Sequence, residues 1–144
     1  MSAPIRVLFL CTGNSARSII GAALLRHAGG DAFDVHSAGV RPKGINPYTV
    51  RVLAQFGIDA SGERSKSVDE YAGERFDYVI TVCNDAAEEC PVFPGAPHRL
   101  HWGFPDPAAV EGTAAEKIAA FERTASGMTA RIASFVPDAL RRKR

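Results

Sequence analysis

No stretch of the 144-residue chain approaches the roughly 20 consecutive apolar residues that a membrane-spanning helix needs. The apolar run after Met1 is too short and too strand-like for a secretion signal, so a cytoplasmic protein is expected. Charge of one sign is not in excess either: 17 Lys and Arg stand against 16 Asp and Glu, a formal net charge of +1. That balance gives no electrostatic reason to expect nucleic acid or a membrane surface as the main partner, and any positive potential has to be local. Internal repeats and low-complexity segments are lacking. Cysteine is scarce, at three residues. An odd number without an export signal argues against a permanent disulfide framework and for thiols kept reduced for use.

What is there, 46% hydrophobic and 23% charged, suits one globular domain over residues 1–144 with a proper core. Strands are expected over Ile5 to Leu10, Phe33 to Ser37, Phe76 to Val82 and His98 to Trp102, because these runs are apolar or alternate and are bounded by turn residues. Between them, Ile19, Ile20, Ala23, Leu24 and Ala28 repeat at helical spacing from Ala16 to the Gly29-Gly30 pair. Asn46-Pro47 opens a second helix, continued by Val50, Leu53 and Ala54 to Gly57, with Asn46 as cap and Pro47 at the first helical position. Residues 61–67 read as a solvated loop whose Arg64 and Lys66 could draw in an anion, followed by a helix or turn over Val68 to Ala72. Ile118, Phe121, Ala125, Met128, Ile132 and Phe135 form the buried stripe of a last helix, and Arg141 to Arg144 its solvated end. Alternating strands and helices imply an α/β fold with a four-stranded parallel sheet, whose ligands gather at the carboxyl edge.

That edge is where the chemistry-bearing residues fall. The first strand ends at Cys11, and the loop Thr12-Gly13-Asn14-Ser15-Ala16 leads into a helix opening with Arg17-Ser18. Backbone N–H groups of such a loop can turn inward beside the positive helix end and form an anion nest. Gly13 is read as the residue that takes an unusual backbone angle, and Arg17 supplies a planar fork of donors for a tetrahedral oxyanion. Helix dipole, amides and guanidinium together favour a negative, nucleophilic sulfur on Cys11. The missing Lys-Ser/Thr pair excludes an ATP-type phosphate loop. Asn14 and Ser18 can hydrogen-bond within the loop and to the sulfur, or Asn14 or Ser15 can cap the helix. Cys83 ends the third strand as Cys11 ends the first. Cys90 lies seven residues on, and a helix between the two would hold their α-carbons about 10 Å apart, so a bond between them requires the segment to unwind. His98 and His101 lie on an expected strand without acidic or thiol companions, so no metal site is expected.

Cys, five residues, Arg and Ser resembles the oxyanion loop of the low-molecular-weight tyrosine phosphatases, whose fold is shared by arsenate reductases. With the distal cysteine pair and His101-Trp102-Gly103-Phe104 before Asp106-Pro107-Ala108, the whole chain resembles the thioredoxin-coupled arsenate reductases. Ala16 and Ala108 stand where a phosphatase of this fold would carry a second loop cysteine and a tyrosine. Ala22 stands where some reductases carry a glutamate that helps bind potassium, so that site is not carried over. The resemblance implies a single-domain three-layer fold. It also implies that the loop Thr12 to Ser18 binds arsenate, or phosphate and sulfate as mimics, that Cys11 attacks arsenic, and that Asp106 acts as general acid, unless Asp106 is only a turn residue. Cys83 and then Cys90 would relay the disulfide outward to thioredoxin or another dithiol protein, with no bound cofactor. A phosphotyrosine phosphatase working through a phosphocysteine, and a redox-sensing anion-binding module without catalysis, are the alternatives.

Overall fold

The computed structural model describes residues 3–84 and 92–143. In chain order it contains β1 (Ile5–Cys11), α1 (Arg17–Gly29), β2 (Phe33–Gly39), α2 (Pro47–Gln55), β3 (Tyr78–Thr81), β4 (His98–His101) and α3 (Ala114–Arg142). Single 3-10 turns lie at Gly30–Ala32, Val68–Tyr71 and Pro107–Ala109. The strands form one parallel sheet in the order β2-β1-β3-β4. The chain leaves β1 toward one side and returns to the other, so the topological switch lies between the carboxyl ends of β1 and β3, where an open α/β sheet leaves a crevice.

The expected elements form where their patterns placed them, with instructive differences in extent. β2 runs two residues past Ser37 because Ala38 and Gly39 stay paired with Leu10 and Cys11 of β1. β3 is shorter than its apolar run, and Phe76 and Val82 are buried just outside it. In α2, Asn46 caps by accepting from the Tyr48 N–H at 2.8 Å, with Pro47 at the first position. The buried residues of α2 are Thr49, Val52 and Leu53, whereas Val50, counted toward the apolar stripe, is 41% exposed. Nine residues make too short a window for the stripe to be phased by spacing alone.

α3 is capped by a reciprocal pair in which Thr113 Oγ1 accepts from Glu116 N and Glu116 Oε1 accepts from Thr113 N, both at 3.1 Å. Its stripe from Phe121 to Phe135 is buried, Ile118 is half-buried, and the helix passes through Pro137 to bury Ala139. Arg141 and Arg142 form exposed pairs with Asp138.

One face of the sheet presents Val7, Phe9, Ile80 and Val82 to α1, α2 and α3 in the larger core. The other presents Leu8, Leu10 and Val79 to Tyr71, Phe76, Phe93 and Ala96, which complete the third layer among the described residues. No described helix is long and apolar enough to cross a membrane.

Candidate functional site

β1 delivers Cys11 to the switch point and α1 begins six residues later at Arg17, so the intervening loop must reverse within five residues. Its carbonyl groups are bound to the segment after β2. Arg41 N donates to Thr12 O at 2.8 Å, Lys43 N to Gly13 O at 3.1 Å, and Asn46 N and Thr49 Oγ1 to Ser15 O at 3.1 and 2.8 Å. These bonds hold the loop carbonyls from the side of the chain after β2, and the Asn14 N–H turns to Cys11 Sγ at 3.2 Å. α1 adds to the positive field here, since its N-cap residue Ala16 offers no side-chain cap and the first N–H groups of a helix have no partner within it.

Cys11, Thr12, Gly13, Ser15, Ala16 and Arg17 line a pocket of about 450 Å³ together with Asp106 and Ala108. Arg17 is 4% exposed, and its Nη1 donates to Phe104 O at 3.0 Å, which ties the buried guanidinium to the loop carrying Asp106. Asp106 is half-buried and Oδ1 accepts from Ala108 N at 3.0 Å. It therefore both caps a turn and faces the pocket; the two readings of this residue are compatible.

Asn14 and Ser18 lie beneath the pocket and are fully buried. Ser18 Oγ and Cys11 Sγ are hydrogen-bonded at 2.8 Å, and Asn14 N donates to the same sulfur at 3.2 Å. Asn14 Nδ2 donates to Ser18 Oγ at 2.7 Å and to Ser37 Oγ at 3.1 Å, while Oδ1 accepts from Lys66 N at 2.7 Å. Neither Asn14 nor Ser15 caps α1, so the hydrogen-bonding reading of Asn14 holds and the capping alternative does not.

The backbone expectation for Gly13 is corrected: the loop's left-handed residue is Asn14, at φ 44°. Asn tolerates that region better than other side chains because it can bond locally. Gly13 instead provides room, since a Cβ there would lie 2.8 Å from Lys43 Cε. A closer approach is made at Gly39, where a Cβ would lie 2.6 Å from Thr12 O and 2.8 Å from Asn14 N.

Cys83 comes two residues after β3, next to Val82, whose N–H donates to Leu10 O at 2.9 Å. It shares the carboxyl edge with Cys11 but is fully buried and does not line the pocket. Cys11 is a free thiol, whereas Cys83 is disulfide-bonded. Cys90 lies outside the described residues. His98 stacks on Tyr78 at 4.7 Å and His101 Nδ1 bonds to Thr81 Oγ1 at 2.7 Å. Among the described residues no cluster of three metal-ligating side chains is present.

Several residues of the site were missed by sequence reasoning. Arg41, Pro42 and Lys43 line the pocket mouth. Their signal was available, because the loop after β2 leaves from the same edge and carries two cations around a proline. Ser37 and Lys66 sit under the loop, and Lys66 corrects the expectation of a solvated basic pair. Arg64 is bound to Glu70, but Lys66 is 9% exposed. Burial pushes its ammonium below the ordinary lysine range, partly opposed by Glu63 and reinforced by Arg64 and Arg26.

Comparison with known proteins bears on this geometry. The model of the low molecular weight phosphotyrosine protein phosphatase family matches residues 6–144. The arsenate reductase of Halalkalibacterium halodurans is 42% identical over 129 residues, which is 90% of this chain and 93% of that one. Among solved structures, the arsenate reductase of Archaeoglobus fulgidus has a TM-score of 0.75 at 28% identity, covering 91% of this chain and 98% of that one. The thioredoxin-dependent arsenate reductase of Corynebacterium glutamicum has a TM-score of 0.60 at 30% identity, covering 92% of this chain and 64% of that one. With an oxyanion loop of this construction at the switch point of the sheet, and a match that spans nearly every residue, the chain belongs to the low-molecular-weight phosphotyrosine protein phosphatase family.

Proposed function

We infer that this member of the family is an arsenate reductase that takes its electrons from a dithiol protein such as thioredoxin and serves arsenic detoxification in the cytoplasm. The observation that carries the reading is the pairing of a preformed tetrahedral-anion pocket around Cys11 with close relatives named arsenate reductase over 90% of the chain. The match over residues 6–144 supports a single catalytic domain.

Arsenate, or phosphate or sulfate in its place, seats on the amides of residues 12–18 with Arg17 against its oxygens. Cys11 attacks arsenic and one oxygen leaves as water, with Asp106 supplying the proton. Cys83 then attacks the Cys11 sulfur. The electron pair of the sulfur–arsenic bond passes to arsenic, arsenite departs, and a Cys11–Cys83 disulfide remains. The reduction of As(V) to As(III) is thus balanced by oxidation of two thiols. In the third step Cys90 attacks Cys83 and frees Cys11, and the outside dithiol reduces the new disulfide. The placement of Cys11 and Cys83 at one sheet edge supports this order.

The test is arsenate-dependent NADPH consumption with purified thioredoxin and its reductase. Cys83→Ser is expected to abolish arsenate turnover while leaving hydrolysis of p-nitrophenyl phosphate at Cys11 standing, and Cys90→Ser to allow one round of arsenite release. Undiminished arsenate turnover in Cys83→Ser would sink the relay. Phosphate-ester hydrolysis with no arsenate turnover in the parent protein would return the chain to the phosphatases.

A further inference from the structure

Beneath the loop lies a buried cation that the reaction as written leaves unused. Lys66 Nζ donates to Arg64 O at 2.8 Å and to Ser37 Oγ at 3.4 Å, and neither acceptor is a carboxylate. The charged groups around it are Glu63, Arg64, Arg26 and Glu70, and each carboxylate is already ion-paired with an arginine: Glu63 with Arg26 at 2.7 Å, Glu70 with Arg64 at 2.6 Å. The ammonium is therefore the one charge of this group left without a partner of opposite sign. A buried charge without such a partner costs stability, so its position calls for a reason.

Ser37 Oγ supplies one, because it also accepts from Asn14 Nδ2 at 3.1 Å. Asn14 Nδ2 reaches Ser18 Oγ at 2.7 Å, and Ser18 Oγ reaches Cys11 Sγ at 2.8 Å. We propose that Lys66 is a positioning residue for the Cys11 nucleophile, holding Ser37, Asn14 and Ser18 in the orientation that lets the Ser18 hydroxyl donate to a negative sulfur, and adding its own positive charge beneath that sulfur. The backbone N–H of Lys66 fixes the far end of the same asparagine, so one residue holds both sides of the Asn14 amide.

The four links, at 3.4, 3.1, 2.7 and 2.8 Å, place the ammonium within about 12 Å of the sulfur. At that range, in an effective dielectric near 20, a unit charge favours the thiolate by about tenfold. This deepens the proposed reaction and rests on Cys11 being its nucleophile, but the test below contains no arsenate.

The experiment measures alkylation of Cys11 by iodoacetamide in the reduced protein, read from the Cys11 peptide by mass spectrometry at pH 7 and pH 10. Lys66→Met keeps the length and apolar stem of the side chain and removes the charge. It is expected to slow alkylation about tenfold at pH 7, the charge effect just given. At pH 10, where the free thiol is already ionised, parent and variant should converge. Should Lys66→Met fail to fold, Lys66→Gln, which retains a donor without the charge, carries the same expectation. A rate within twofold of the parent at pH 7 overturns the proposal. An equal loss at both pH values also overturns it, since a general loosening of the loop acts regardless of ionisation. Absence of arsenate turnover in the parent protein would sink the reaction of the preceding section and leave this measurement intact.

Discussion

Replacing Asn14 by alanine probes how the loop is held. Asn14 is 0% exposed, so water cannot take over the three hydrogen bonds its side chain makes. Ser18 and Ser37 are hydroxyls and can turn to other partners, but the Lys66 N–H is fixed in the backbone and would be orphaned. Leaving such a donor buried and unsatisfied costs about 1–3 kcal/mol. Alanine must also adopt φ 44°, a region that penalises a Cβ without a locally bonding side chain by about 1 kcal/mol. The two contributions come to about 3 kcal/mol, a large fraction of the roughly 5–15 kcal/mol that keeps a domain folded. Urea denaturation of the reduced protein measures the sum, and Asn14→Gly separates the parts. Glycine loses the same hydrogen bonds but accepts the backbone angle, so it should be about 1 kcal/mol more stable than the alanine variant. An alanine variant within 1 kcal/mol of the parent, or a glycine variant below the alanine one, would refute the reasoning.

Two further outcomes follow from the packing and the ionic contacts. Gly39→Ala puts a Cβ 2.6 Å from Thr12 O, a backbone atom that cannot swing away; a loss of about 1–3 kcal/mol is expected from overpacking, with displacement of the loop read as a raised KM for arsenate. A variant with unchanged stability and KM would show that the loop gives freely. Burial raises the Asp34 carboxyl, but bonds to Arg6 and His36 outweigh it and hold the group below its ordinary value. Asp34 therefore contributes stability above the ordinary carboxylate range near 3.9, and that contribution is lost as pH falls through the lowered folded value. Its side chain is 41% exposed, so at most about 1 kcal/mol is at stake. In urea titrations from pH 6 to pH 2, Asp34→Asn should be less stable than the parent near neutrality and converge with it in acid. A gap that persists at pH 2 would place the effect outside this ion pair.

The residues along one short piece of chain determined a good deal. An apolar run ending in Cys11, a small polar loop and a helix opening on Arg17 are local features, and their order alone sets the nucleophile beside an anion nest at a sheet edge. Asn46-Pro47 made its cap in the same way, because capping joins neighbours in sequence. Tertiary structure decided what depends on residues far apart. Asn14, not Gly13, takes the left-handed angle because the Asn14 side chain is held by Lys66, Ser37 and Ser18, whereas Gly13 leaves space that Lys43 fills. Which of Val50 and Val52 is buried was settled by how α2 meets the core. Whether Lys66 is solvated or sealed under the loop was settled when Ser67 and Gly39 paired as a parallel bridge. Short-range patterning is written in side-chain type and spacing, whereas the direction of a buried polar side chain is fixed only when distant backbone groups arrive to accept or donate.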